Sequence, residues 1–339
     1  MWITSSLATA LTPTSVALGN FDGIHRGHQQ VIKPILKESG VFKGTPDNPS
    51  SGTEQQSKLE NLSAANHVTG ASNAYSTVAT FNPHPRAFFS GKAWKLLTPR
   101  AEKAQFLSSM GVKQLVLLPF NQELASLSPE EFVAKILVQQ LSATRVSVGY
   151  DFHFGYKRAG TAGDLQAIAS SYGIDVHIIS LETCQGERIS STLIRQSLEQ
   201  GDIATANKLL GRPYTLTGVV VKGQQLGRTI GFPTANLQLP PDKFLPRSGV
   251  YCVKVCGASV TSPTSYQPGV MNIGNRPTVD GTTVTVEVHL LDWSGDLYGQ
   301  TLTVSLEQFL RPEQKFASLE ALKTQIQADS EAAKAFLQA

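Results

Sequence analysis

Gly19-Asn20-Phe21-Asp22-Gly23-Ile24-His25-Arg26-Gly27-His28 is the stretch that decides how this chain is read. It follows Ser15-Val16-Ala17-Leu18, a short apolar run with strand character. It opens a helical pattern whose apolar positions are Val31, Ile32, Ile35 and Leu36. His25 and His28 share a face near the N-terminus of that helix. Free backbone N–H groups and the helix dipole favour an anion there. Gly27 lets a ligand approach the backbone closely. Two imidazoles so placed can donate to phosphate oxygens and stabilise charge that develops on them. A metal or a capping role competes for an isolated His-x-x-His. The strand and the Gly-x-Phe-Asp-Gly turn ahead of it favour the phosphate reading.

Further strands are predicted at 78–81, 114–118, 146–149 and 176–179, with helical stretches at 101–110 and 130–141. Strands alternating with helices indicate a parallel sheet that binds ligands beyond the carboxyl ends of its strands. Residues 40–76 break the pattern. They are rich in Ser, Asn, Gln, Gly and Thr and read as a flexible insertion. From Gly211-Arg212-Pro213 on, β-rich runs at 216–221, 250–255, 284–291 and 302–306 are separated by Gly, Pro and Asp-Gly turns. This is the signature of a small antiparallel barrel or sandwich. Phe316, Leu319, Leu322 and Ile326 mark one face of a closing helix.

With 339 residues, two domains are expected at roughly 100–200 residues each. An apolar fraction of 41% excludes wholesale disorder, and a formal charge of +3 gives no sign of a dedicated polyanion binder. Three cysteines exclude a disulfide scaffold and read as packing thiols in a reducing compartment. No apolar run is long enough for a membrane span, and the first residues lack a secretory pattern. A cytoplasmic protein is expected.

Other clusters carry chemistry. In Arg188-Ile189-Ser190-Ser191-Thr192-Leu193-Ile194-Arg195, hydroxyls begin a helix between guanidinium groups. They read either as ordinary N-caps or as an anion site gripped by Arg. Thr80-Phe81-Asn82-Pro83-His84-Pro85-Arg86 and Gly149-Tyr150-Asp151-Phe152-His153-Phe154-Gly155 follow strands and can line a pocket. Neither a Walker-type phosphate loop nor a Gly-x-Gly-x-x-Gly fingerprint occurs. In the second half, residues 223–237 are glycine-rich and contain Thr234 and Asn236, hard oxygen donors suited to Mg²⁺. A plain barrel corner is the alternative. Strand alternation puts Glu287 on a face with Thr285 and His289, opposite Val286 and Val288. There it reads as a base in a barrel mouth or as a solvated strand residue.

Taken in order, these runs resemble the bacterial bifunctional riboflavin kinase/FAD synthetase family. Gly269-Val270-Met271-Asn272-Ile273-Gly274-Asn275-Arg276-Pro277-Thr278 and Asp296-Leu297-Tyr298-Gly299 add to the likeness, which extends over nearly the whole chain. The resemblance implies an α/β fold in two domains. Residues 1–211 would form a Rossmann-like nucleotidyltransferase domain with a parallel sheet, acting as an FMN adenylyltransferase. Residues 212–339 would form a small antiparallel Greek-key β-barrel, the riboflavin kinase, with a C-terminal helix. The barrel would phosphorylate riboflavin with ATP, and the first domain would transfer AMP from ATP to FMN, giving FAD and pyrophosphate.

By the same resemblance, Glu287 is the base for the ribityl hydroxyl. Thr234 and Asn236 hold Mg²⁺ and ATP phosphates. His25, His28, Arg188, Ser191 and Thr192 cradle phosphates. Gly19, Phe21, Asp22, Gly27, Asn82, Asp151 and Arg195 complete the first nucleotide site. Gly223, Gly227, Arg228, Gly231, Pro233 and Arg276 complete the second. Asp151 stands where some relatives carry Asn. The 40–76 stretch and a small loop at 259–267 depart from the family pattern. Small-molecule substrates are the expected partners, with no nucleic acid and no membrane; a homo-oligomer is left open. Competing readings are an enzyme with one active half, a flavin-binding regulator without turnover, and a nucleic-acid enzyme sharing the His-x-Gly-His site.

Overall fold

In a computed structural model, residues 1–36, 74–184, 186–223, 226–257, 266–278 and 281–338 are described. Strands β1 (Trp2–Thr4), β2 (Thr14–Leu18), β3 (Tyr75–Asn82), β4 (Gln114–Pro119), β5 (Ala143–Gly149) and β6 (Asp175–Ile179) form one sheet in the order β1-β4-β3-β2-β5-β6. Every pairing in it is parallel. Both faces are covered, which is why β2 is buried along its full length. Val16, Leu18 and Val116 join the core on one face, and Ala17, Val78 and Leu115 the core on the other. Helix Arg26–Leu36 packs on the second face through Val31, Ile32 and Ile35. The strand order turns back between β2 and β5. A crevice at their carboxyl ends follows from that topology.

The second half closes into a six-stranded antiparallel barrel. Its strands are β7 (Tyr214–Val221), β8 (Ala235–Gln238), β9 (Gly249–Cys256), β10 (Gln267–Thr278), β11 (Gly281–Leu290) and β12 (Thr301–Arg311). They run β7-β8-β11-β10-β9-β12, and β12 pairs with β7 to close the ring. β9, β10 and β11 are consecutive neighbours and β8 lies beside β11, a Greek-key arrangement. Leu216, Tyr251, Val253, Met271, Val286, Val288 and Val304 fill the interior. Helices Ser191–Gln200 and Ile203–Leu210 contribute Ile194, Leu198 and Leu209 to the same core.

The structure extends and corrects the sequence expectations. β1, β8 and β10 were absent from them. β8 is four residues long and sits inside the glycine-rich run, where turn chemistry masks its alternation. The helix expected at 130–141 is a short α-helical turn, Pro129–Phe132, that passes into a wider π-helical segment, Val133–Gln140. The closing helix is Leu319–Gln338, so Phe316 precedes it. Leu319 is 63% exposed, and the buried face carries Asp329, Ser330 and Ala333 instead. Asp329 takes Arg311 through both carboxylate oxygens, at 2.7 and 2.9 Å, and Ala333 packs on Val250, Cys252 and Val270 outside the barrel. A salt bridge, small residues and Leu337 therefore seat this helix, with Leu322 and Ile326 of the expected stripe half-buried. The insertion read at 40–76 lies outside the described residues except for its end, where Tyr75 and Ser76 open β3. The loop at 259–267 lies outside them too, apart from Tyr266 and Gln267.

Candidate active sites

The turn-back between β2 and β5 opens into a cleft of about 910 Å³. The loop after β2 and the start of its helix line it with Gly19, Phe21, Asp22, His25, Gly27 and His28. Asp151 comes from the turn after β5, and Arg188, Ser191, Thr192 and Arg195 come from the entry to helix Ser191–Gln200. Residues 19–28 and 188–195 are thus brought together from opposite ends of the first half. Asn82, expected here, does not line the cleft. It stands exposed at the end of β3, with its carbonyl accepting the Phe120 N–H at 3.0 Å, while its neighbour Phe81 takes the cleft face. Successive strand residues alternate faces, so both cannot point in.

The two imidazoles are stacked, with ring centroids 3.6 Å apart. His25 Nδ1 accepts the His28 backbone N–H at 3.3 Å, which leaves Nε2 to carry the proton of a neutral ring. Burial pushes His25 down to about 4; Asp22 and Asp151 oppose that shift, and Arg188 and Arg212 add to it. His28 is driven well below the ordinary histidine range by burial, then by His25, Lys103 and Arg212. At neutral pH both rings are uncharged, so they can donate hydrogen bonds but add no positive charge. Gly27 serves the imidazole more than a ligand. A Cβ there would lie 3.3 Å from the Cε1 and Nδ1 atoms of His25.

Asp22 is spent on the protein. Its Oδ1 accepts the Leu97 N–H at 2.8 Å, its Oδ2 takes the Arg195 guanidinium at 2.5 Å, and its carbonyl accepts from Ser191 Oγ at 2.8 Å. Arg195 is held equally firmly, donating to the Lys95 carbonyl and lying between the rings of Trp94 and Phe244. These two residues build the cleft wall. Phe21 is buried too, its ring edge-on to His28 at 5.3 Å. Arg188 sits at the rim, paired with Asp151. Ser190 caps its helix by accepting the Leu193 N–H, and Thr192 faces the cleft exposed. Sequence reasoning missed Trp94, whose ring also receives Arg86 at 4.9 Å and stacks on His84. It stands in Gly91-Lys92-Ala93-Trp94, where no periodicity marks it.

The second constellation gathers on the outside of the barrel. Val286 and Val288 take the interior, so Glu287 faces outward rather than into the mouth. The register aligns Asn236 of β8, Glu287 of β11 and Asn272 of β10 side by side across three strands. Asn272 was quoted in a matching run but not singled out. All three are half-buried, as is Thr234 just before β8. His289 donates to the Pro233 carbonyl at 2.8 Å, and Phe232 packs edge-on against its ring. Those contacts hold the segment carrying Thr234 against β11. A Cβ on Gly223 would fall 2.3 Å from the Asn236 amide nitrogen, and one on Gly227 would fall 2.3 Å from the Phe232 carbonyl. Gly223 and Gly227 thus let the backbone approach the Asn236 amide and the Phe232 carbonyl directly, where a side chain would collide. Gly231, with φ +91°, turns the chain ahead of Pro233. The side chains of Arg228 and Arg276 lie outside the described residues.

Family models match this chain in two parts: FAD synthetase over residues 7–44 and 59–193, and riboflavin kinase over 210–337. A protein of Pseudomonas fluorescens named bifunctional riboflavin kinase/FMN adenylyltransferase is 42% identical over 319 residues, spanning 94% of this chain and 91% of its own. This chain belongs to the bifunctional riboflavin kinase/FMN adenylyltransferase family. A member with the same name from Escherichia coli K12 is 39% identical, spanning 95% of this chain and 92% of its own. A crystal structure from Streptococcus pneumoniae, described as a macrolide-efflux protein, superposes with TM-score 0.77 at 30% identity over 98% of both chains. Among the described residues of this chain, no helix is long and apolar enough to cross a membrane.

Proposed function

We propose that this chain makes flavin cofactors in two steps, at the two constellations described above. On the barrel, the terminal ribityl hydroxyl of riboflavin attacks the γ-phosphorus of ATP, giving FMN and ADP. In the cleft, a phosphate oxygen of FMN attacks the α-phosphorus of a second ATP. A new O–P bond forms, the bond from the α-phosphorus to the bridging oxygen breaks, and pyrophosphate leaves with FAD as the product. The observation that carries this reading is the pairing, in one family member, of a stacked imidazole pair at a switch-point cleft with the Asn236–Glu287–Asn272 row on a barrel.

Phosphoryl and adenylyl transfer need little covalent help from protein. Positioning and charge stabilisation carry them. In the cleft, neutral His25 and His28 donate to the oxygens of the phosphate chain, and Arg188 approaches from the strand before the facing helix, with Ser191 and Thr192 at that helix's start. Gly19 and Gly27 leave room for the Phe21 ring and the His25 imidazole, which shape the loop beside the ligand. On the barrel, Glu287 is the base that accepts the ribityl hydroxyl proton. Thr234 Oγ1 and the Asn236 amide oxygen are half-buried hard donors beside the closely packed Gly223 and Gly227, and that donor chemistry fits Mg²⁺. When bound, that ion neutralises phosphate charge. Gly231 and Pro233 shape the approach to it, with Arg228 and Arg276 assigned to phosphate.

We place the adenylyltransferase in residues 1–211 and the kinase in 212–339. A cytoplasmic setting fits free thiols such as buried Cys252. The test is a time course with riboflavin, ATP and Mg²⁺, resolving flavins by chromatography. FMN followed by FAD is the expected result. FMN alone would confine the activity to the barrel, and riboflavin left unconverted would overturn the reading.

A further inference from the structure

We infer that Arg212, acting with Lys103, is a positioning residue for adenylyl transfer, holding from behind the loop that carries the imidazoles. The inference rests on the two-site reading above. Arg212 donates from Nη2 to the Gly23 carbonyl at 2.7 Å and from Nη1 to the Ile24 carbonyl at 3.1 Å. Its guanidinium lies 4.0 Å from the centre of the Phe106 ring. Lys103, in helix Arg100–Ser109, donates to the Asn20 carbonyl at 2.9 Å. Ser191 takes the Asp22 carbonyl, and Gln29 adds a second donor to that of Ile24. Side chains from separate elements therefore hold the carbonyls of Asn20, Asp22, Gly23 and Ile24.

The loop needs this hold. Phe21 and Ile24 have φ of +46° and +41°, a region that β-branched and bulky residues avoid. Such residues are strained and persist only where their surroundings over-determine them. Ile24 leads directly into His25, so slack at its carbonyl moves the imidazole pair.

The same cations act on charge. Facing His25 are Asp22 and Asp151, which favour the imidazolium, and Arg188 and Arg212, which disfavour it. Facing His28 are His25, Lys103 and Arg212, all of which disfavour it. Arg212 is common to both rings. In sequence, though, it falls in the stretch matched to riboflavin kinase and beyond the end of the FAD synthetase match at residue 193. A residue counted with one catalytic half therefore serves the other.

The test uses the full chain as wild type, Arg212→Met, Arg212→Lys and Lys103→Met. On each preparation, FAD formation from supplied FMN and FMN formation from riboflavin are measured across a pH series. Arg212→Met should slow FAD formation about 10²-fold, the effect of misplacing catalytic groups by about an ångström. FMN formation should stay within about twofold of wild type, which also reports that the chain is folded. The acid limb of the FAD-forming rate should move to higher pH, because the imidazoles protonate more readily once the cation is gone. Arg212→Lys keeps the charge but not the fork, and should restore the acid limb while regaining part of the rate. Lys103→Met should move rate and limb in the same directions from the other side of the loop. Equal loss of both activities, or a slowed FAD step with an unmoved acid limb, would overturn the inference. Variants matching a wild type that makes FAD would overturn it alone. A wild type that makes no FAD from FMN would take the two-site reading with it.

Discussion

The cleft and the barrel face, both proposed above to take ATP, have opposite designs. In the cleft, the groups that look most reactive in sequence are already committed. Asp22 is bound to Leu97 and Arg195, Arg195 lies between two rings, His25 is buried and His28 half-buried, and both imidazoles are uncharged. On the barrel, Asn236, Glu287 and Asn272 stand half-buried in a row on the outer face, with Gly223 packed directly on the Asn236 amide. One site is a preorganised cage of dipoles. The other is a platform that, in the function proposed, substrate and Mg²⁺ would complete. The difference follows from the reactions proposed. Joining two phosphates needs fixed donors around crowded negative charge. Activating an alcohol needs a carboxylate that can take a proton.

Breaking one design should spare the other. Glu287→Ala removes the proposed base and should lower FMN formation by about 10²–10⁴-fold. FAD formation from supplied FMN should hold at the wild-type rate, and parallel assays of the two half-reactions check this. Loss of both would mean that the sites are not separate.

Acid should act first on the cleft. In the unfolded chain an imidazole protonates near 6.5, whereas folded His25 resists until about 4. Between those values the unfolded state holds more protons, so stability falls as pH drops through that window and is retained above it. For His25 alone the loss is about 3 kcal/mol by the bottom of the window. Urea unfolding at pH 7 and pH 4.5 measures it, and His25→Gln should flatten the difference; an unchanged difference would mean that His25 is not buried neutral.

The smallest effect separates wall from ligand contact. Ser190 lines the cleft, but its hydroxyl already accepts the Leu193 N–H. Ser190→Ala should cost about 1 kcal/mol of stability as a lost helix cap. The KM for ATP in FAD formation should not change, and a raised KM would move Ser190 from the wall to the ligand.

Reading the sequence recovered five of the six sheet strands because each is an apolar run bounded by Gly, Pro or polar turns. It recovered the barrel half from its alternating runs and short turns, yet passed over β8, whose four residues are too few to show alternation. Glu287 was placed on the correct strand and opposite the correct neighbours. Its outward direction was not legible, because alternation tells which residues share a face but not which face the barrel closes around. At the end of β3 alternation likewise left open which residue turns inward, and Phe81 holds the cleft side.

What the sequence determined by itself is local: a strand, a glycine turn and a helix carrying two histidines, then a second glycine-rich run ahead of Thr234 and Asn236. Such signals lie within a few residues of one another, and their order identifies the family. What only the tertiary structure decided is the electrical state and support of the site. The neutrality of His25 and His28 comes from burial, and the support from Arg212 reaches Gly23 across 189 residues of chain. Burial and long-range hydrogen bonds are properties of the packed chain, so no window of sequence contains them.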